Sequence, residues 1–257
     1  MCKNLRKYSF VKMTFVGIAA SLAFSQCSQK SPDTHTVAST ETIPDAASLR
    51  VLILGGGESH DFDTWFKGVD SKTLERGDFA SVNYISNMDS ILHYLPETDV
   101  LYLTNNQPIN DPNARQAIVD FANAGKGMVL GHAALWYNWA DWPEYNKNIV
   151  SGGSRGHDKY GEFEVSVTNT KHRVTQGVDQ KFSLKDELYY YKIDENGPGI
   201  EILAEASSEE SGPFPSVFVV KHPKTKIVGI ALGHDGESHD LEAYQTLLRN
   251  AVKWVSE

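Results

Sequence analysis

The chain has 257 residues, 40% of them hydrophobic and 22% charged, with a net charge of −9. That apolar content suits one ordinary core of roughly 200 residues, and the acidic balance repels phosphate backbones, so no nucleic-acid partner is expected. The only cysteines are Cys2 and Cys27, which leaves everything beyond residue 27 without a disulfide, a thiolate metal ligand or a cysteine nucleophile.

Residues 1–27 place Lys3, Arg6, Lys7 and Lys12 ahead of an apolar stretch from Met13 to Phe24. A positive start followed by a short apolar run reads as an export signal, too short for a comfortable membrane span. Cys27 stands where bacterial lipoproteins carry their lipidated cysteine. Gln26 stands where a small residue is usual, so cleavage after Ser25 without lipidation is the alternative. The expectation is an exported protein, periplasmic or associated with the outer membrane, that meets the membrane through a lipid anchor only. Residues 28–48 are rich in Ser, Thr and Pro and read as a flexible tether. One folded domain then spans 49–257.

Apolar runs bounded by turn signals predict strands at 50–54, 81–86, 100–104 and 127–131. Between the last two, "DPNARQAIVDFANAGKG" is the clearest helix. Asp111 can cap it, Pro112 suits the first turn, and Ala114, Ala117, Ile118 and Phe121 share one face before Gly125 stops it. The stretches "GEFEVSVTNT", "GIEILAEA", "SVFVVKH" and "KIVGIALG" are β-like. The chain closes on a helix whose apolar face carries Leu241, Tyr244, Leu248, Ala251 and Val255. Strands alternating with helices imply right-handed crossovers. The expected fold class is α/β, with a mostly parallel central sheet and additional antiparallel strands in the second half.

The letters GESHD occur twice, at residues 57–61 and 236–240, each time after a predicted strand. In an open parallel sheet ligands bind beyond the carboxyl ends of the strands, so both copies are expected on one rim. Capping explains Ser59, Asp61, Ser238 and Asp240 equally well, since a carboxylate or hydroxyl satisfies free N–H groups at a helix start. It explains neither His60 nor His239.

"GKGMVLGHAALWYNW" reads as strand, sharp turn and helix, with His132 at the turn, where several α/β enzymes hold a nucleophile. This turn, with "GGG" at 55–57, "GGSRGH" at 152–157, "KHRVTQGV" at 171–178, "DELYYYKID" at 186–194 and "ALGHDGESHD" at 231–240, resembles the ThuA-like (trehalose-utilisation) family of the class I glutamine amidotransferase-like superfamily. The resemblance covers residues 49–257 and rests on the six motifs together. It implies a flavodoxin-like three-layer sandwich with its site at the strand carboxyl ends. It also implies a link to trehalose and related disaccharides or their oxidised 3-keto forms. Glutaminases of that superfamily use a cysteine at the turn. Here the residue is His132, so thiolate-dependent glutamine hydrolysis is excluded by composition.

Ser154 lies in a G-x-S-x-G pattern at 152–156, but the strand-turn-helix context that such a nucleophile needs surrounds His132 instead. Five histidines, His60, His132, His157, His234 and His239, fall in loops expected on the rim. Glu187 is the best carboxylate partner for them. His132 and Glu187 are expected to exchange protons. His60, His132, His157 and His234 also suit a divalent metal, zinc favoured, with Asp235 as an orienting partner for His234. Trp136 and Trp139, in an aromatic run with Asn138 and Asp141, would stack on a sugar ring, aided by His60, Asp61 and His239. His93 and His222 read as surface residues, and His172 as part of a turn.

The leading expectation is a carbohydrate-processing protein that acts on a small sugar by acid–base chemistry. A sugar-binding accessory lipoprotein without chemistry, and a metal-dependent hydrolase of another substrate, are the rivals.

Overall fold

The computed structural model describes residues 48–136 and 140–257. The expected export signal with Cys27, the expected tether up to residue 47, Asn138 and Trp139 lie outside the described residues. Among those described, no helix is long and apolar enough to cross a membrane.

The chain enters through β1 (Leu49–Leu54), whose last four residues are fully buried. A wide helical turn, Asp63–Asp70, runs into α1 (Ser71–Glu75), followed by β2 (Ala80–Ile85), the short α2 (Ile91–Tyr94) and β3 (Val100–Leu103). Next comes α3 (Pro112–Asn123), built as its sequence demands: the Asp111 side chain accepts from Asn113 N at 2.9 Å, and Ala114, Ile118, Phe121 and Ala122 are buried. Strand β4 (Gly127–Gly131) pairs with β3 in parallel.

A long excursion follows: β5 (Gly152–His157), β6 (Gly161–Val167), β7 (Lys181–Asp186), β8 (Tyr189–Ile193), β9 (Ile200–Ser207) and β10 (Phe214–Val220). The chain then returns through β11 (Ile227–Ile230), the single turn α4 (Gly236–His239) and α5 (Glu242–Val255).

Nine strands form one sheet in the order β2-β1-β3-β4-β11-β10-β9-β6-β7. From β2 to β11 every pairing is parallel, and from β11 to β7 every pairing is antiparallel. The parallel half is the doubly wound order of flavodoxin-like folds, with β11 in fifth place. The α/β class with an antiparallel second half is thus as expected. The excursion from β5 to β10 is inserted between the fourth and fifth parallel strands.

Alternation along each parallel strand divides the core in two. Val51, Ile53, Val100, Tyr102, Val129 and Val228 pack on one face with Leu247, Leu248, Ala251 and Val252 of α5. Leu52, Leu54, Leu101, Leu103, Met128 and Leu130 pack on the other with Ala114, Ile118 and Phe121 of α3. Helices on both faces explain why these strands read as unbroken apolar runs.

The segment "GGSRGH", whose His157 was expected in a loop, is strand β5, paired antiparallel with β8 from Gly152↔Ile193 to His157↔Tyr189. A glycine-rich strand has no alternating pattern, and its partner lies some forty residues away. Ser154 is buried there with its Oγ donating to Gly156 O at 2.7 Å, which leaves it no role as a nucleophile.

Candidate functional site

Beyond the carboxyl ends of β1, β4 and β11 the chain turns sharply, and each turn delivers one imidazole. After β1, Gly57 (φ +138) lies so close to Asn106 that a Cβ would sit 1.6 Å from its Oδ1. That close approach folds the loop back and sets His60 beneath the rim. After β4, a Cβ on Gly131 would lie 2.6 Å from the Tyr102 ring, and His132 follows at φ +30. Positive φ in a non-glycine residue costs on the order of 1–3 kcal/mol and persists only when the surroundings impose it. Here the imposition is visible: His132 is fully buried, and its Nδ1 lies 2.7 Å from the carbonyl of Ala231 at the end of β11. A carbonyl can only accept, so Nδ1 carries a proton.

The antiparallel excursion supplies the rest. Glu187 follows β7, with its Oε2 3.5 Å from His132 Nε2 and 3.4 Å from His234 Nδ1, and its Oε1 3.7 Å from His157 Nε2. The His60 ring stands 4.8 Å, centre to centre, from both His132 and His234. One ligating atom from each of His60, His132, His234 and Glu187 falls within 4.8 Å of the others. His157 is outside that group. The expected metal set is corrected on that point: Glu187 comes between His157 and the other rings and takes its place. His157 instead turns Nδ1 to the carbonyl of Asp158 at 2.6 Å and leaves Nε2 towards Glu187.

Burial alone would push the Glu187 carboxyl up, but the His132 and His234 imidazoles outweigh it and hold the group well below the usual carboxylate range. The same carboxylate raises His234 above an ordinary histidine, against the effect of burial. Burial, followed by the proximity of His132 and His234, brings His60 down to about 3, so its ring is neutral.

A cavity of about 240 Å³ opens beside this cluster, lined by Ser59, His60, Asn106, Trp136, His157, Glu187 and Tyr189 among others. It falls below the roughly 300–1,000 Å³ of drug-sized sites, which suits one small ring. Tyr189 stacks on His132 at 4.4 Å, and Trp136 leans on both His157 and Tyr189. A larger cleft of about 700 Å³ around Arg115, Trp142 and His222 shares no residue with the cluster.

Several expected site residues lie elsewhere. His239 is fully buried, and both its nitrogens are occupied, Nδ1 by Asp70 Oδ1 at 2.7 Å and Nε2 by Gly233 O at 3.1 Å. It has no atom left for a sugar. Asp61 is exposed and accepts from Thr64 N at 3.0 Å as a helix cap, and Asp141 pairs with Arg115. Asp235 does not orient the His234 ring; it caps α4 through Glu237 N at 3.0 Å and accepts from Tyr160. Asp240 is the C-terminal cap position of α4 and does not cap α5, which begins at Glu242 with Leu241 as its N-cap and no side-chain cap. The two GESHD copies therefore differ in conformation as well as role: the first is an open loop and the second a helical turn.

One residue escaped the sequence reading. Asp186, fully buried, accepts from Gly233 N at 2.8 Å, from Glu187 N at 2.6 Å and from Ser238 Oγ. It fastens the end of β7 to the loop that carries His234, and so sets Glu187 against His234. Only its position before Glu187 could have drawn notice.

The family model described as ThuA, trehalose utilisation, matches residues 50–255. The chain belongs to the ThuA family. A ThuA-like protein of Parabacteroides merdae superposes with a TM-score of 0.70 at 23% identity, covering 81% of this chain and 90% of that one. A ThuA-like protein of Bacteroides uniformis gives 0.69 at 23%, covering 82% and 93%. The cold-adapted β-galactosidase of Rahnella sp. R3 gives 0.58 at 12%, covering 80% of this chain and 30% of that one. At these identities the likeness to solved structures is one of fold. No curated protein matches the chain.

Proposed function

We propose that this ThuA-family protein processes a small neutral carbohydrate, an oxidised (3-keto) disaccharide or glycoside in particular, by acid–base chemistry. The observation that carries the reading is the Glu187–His157 pair, 3.7 Å apart on the wall of a small cavity bordered by Trp136 and Tyr189. Aromatic faces of this kind stack on the C–H faces of sugar rings. A carbonyl on the sugar acidifies the neighbouring C–H. His157 removes that proton, the electron pair shifts to the carbonyl oxygen, and its return expels the β-linked oxygen, which takes the proton back from His157. The sum is an elimination that balances without a co-reactant.

Within this scheme Glu187, ionised among imidazoles, steadies the protonated His157. His132 does not line the cavity, because its free nitrogen is buried against Glu187. Its contribution is to hold the carboxylate rather than to meet the sugar.

The test is incubation of the purified chain with trehalose, 3-keto-trehalose and simple 3-keto-glycosides, with products separated by chromatography. Conversion of at least one oxidised glycoside, abolished in His157→Ala and Glu187→Gln, is expected. Saccharide binding by the wild type with no conversion would leave the accessory-protein reading in its place.

The leader supports a second element of the proposal, that the protein is exported and held at the membrane by lipid on Cys27. Cys27→Ser should move it from the membrane fraction to the soluble exported fraction. An unchanged distribution would remove the anchor.

A further inference from the structure

We infer that His60, His132, His234 and Glu187 bind one divalent transition-metal ion, with zinc or a metal of similar ligand preference as the occupant. The inference concerns the floor of the pocket and does not depend on which sugar, if any, the pocket accepts.

Four of the eight buried side-chain nitrogen and oxygen atoms without a partner among the described residues belong to these three histidines: His60 Nδ1, His60 Nε2, His132 Nε2 and His234 Nδ1. Buried polar atoms are nearly always satisfied, so their concentration at one point asks for something that accepts lone pairs. His132 is the sharpest case. It is fully buried, its Nδ1–H is spent on Ala231 O, and its Nε2 has no hydrogen-bond partner and faces Glu187. Ligating histidines are commonly oriented in just this way, the second nitrogen donating to a carbonyl.

The spacing agrees. Ligands about 2.1 Å from a tetrahedral ion lie about 3.4 Å from one another, and Glu187 Oε2 stands 3.5 and 3.4 Å from His132 Nε2 and His234 Nδ1. Three imidazoles with one carboxylate favour zinc, cobalt, nickel, iron or copper over magnesium and calcium, which prefer oxygen donors. Thiolate ligation is excluded by composition. Asp186 serves the site as a positioning residue, since it holds Glu187 and the His234 loop together.

The assignment leaves the proton-handling pair intact. Glu187 presents Oε2 to the ion and Oε1 to His157.

The deciding experiment is elemental analysis of the purified full chain, beside His60→Ala, His132→Ala, His234→Ala and His157→Ala, each checked for folding by circular dichroism. The proposal predicts about one ion per wild-type chain and per His157→Ala chain, with a loss of at least tenfold in the other three. A second readout needs no variant: zinc or cobalt added to the chelator-treated wild type should raise its thermal midpoint, and cobalt should give the visible bands of a low-symmetry site. No stoichiometric metal together with no thermal shift from zinc, cobalt, nickel or iron would overturn the proposal. So would equal metal content in His132→Ala and wild type. Metal retained in an inactive His157→Ala would separate failure of the proton-handling step from failure of the site.

Discussion

His239 donates to Asp70 at 2.7 Å, and neither residue has any exposed surface. Its other nitrogen faces a carbonyl acceptor, Gly233 O, so a proton on each nitrogen satisfies both acceptors and the pocket favours the imidazolium. Asp70 in turn accepts from Tyr102 and Tyr244 through its second oxygen, at 3.0 and 3.1 Å. Burial disfavours the charged ring, but the Asp70 carboxylate more than compensates and raises His239 above an ordinary histidine. The histidine of the second GESHD copy thus anchors the Gly233 turn from below and does not serve the pocket.

The pH dependence of stability follows from that pair. Folded His239 binds its proton more tightly than the unfolded chain does, so between the unfolded value of about 6.5 and the raised folded value the native state holds the extra proton. Stability from this source is complete below the unfolded value and is lost as pH rises through the folded one. The groups facing the ring are Asp70, Tyr244, Trp65 and Phe66, with Tyr102 behind Asp70. Urea midpoints of the metal-free protein should fall on the alkaline side. His239→Gln should flatten that fall and lower stability by about 3–5 kcal/mol, as expected for breaking a buried pair. Equal alkaline slopes in the two proteins would show the ring to be neutral.

Asp186→Ala should be among the most damaging single changes outside the apolar core. It strands the N–H groups of Gly233 and Glu187 and the hydroxyl of Ser238. At about 1–3 kcal/mol for each buried unsatisfied group, the loss should reach about 3 kcal/mol or more by chemical denaturation. Asp186→Asn keeps an acceptor and should lose less. A loss under 1 kcal/mol in the alanine variant would mean that water replaces the carboxylate.

The strain at His132 predicts an unusual order of variants. At φ +30 alanine inherits the strained backbone, whereas glycine does not. His132→Gly should therefore be more stable than His132→Ala by about 1 kcal/mol, the reverse of the order at an ordinary strand end. Gly131→Ala should destabilise by about 1–3 kcal/mol, because its Cβ would press on the Tyr102 ring and disturb the Tyr102–Asp70 bond. Thermal midpoints of the three variants decide both points.

Trp136 offers a test of the sugar pocket that leaves the ionisable cluster untouched. It borders the cavity and leans on His157 and Tyr189. If it stacks on a ring, Trp136→Ala should weaken saccharide binding by about 0.5–1.5 kcal/mol, and Trp136→Phe by less. Titration calorimetry with the converted glycoside would show this, and unchanged affinity in Trp136→Ala would place the sugar elsewhere.

Much of the parallel half was legible in advance, since buried parallel strands read as apolar runs and α3 announces itself through Asp111, Pro112 and its apolar face. The strands β5, β7 and β8 were less so. "GGSRGH" has no periodic pattern, and "KFSLKD" buries only Leu184 and Asp186. Their pairing is decided by partners that no local window contains. The same holds for Asp186 and Asp70, acidic residues whose sequence neighbours give no hint of burial.

Sequence by itself determined what chemistry is available: no cysteine beyond Cys27, eight histidines beyond residue 48, and strand exits at which His60, His132 and His234 must emerge. Local periodicity and turn residues suffice for that, because a strand followed by glycine ends in the same place whatever its neighbours do. Only the tertiary structure decided which side chains meet. His239 and Asp61 leave strand exits as surely as His60 does, yet one is turned into the core and the other caps a helix. Glu187 reaches the cluster from an antiparallel excursion that returns to the rim 55 residues after His132. Contacts between segments so far apart are selected by burial and hydrogen-bond satisfaction over the whole fold, and no reading of neighbouring residues contains that information.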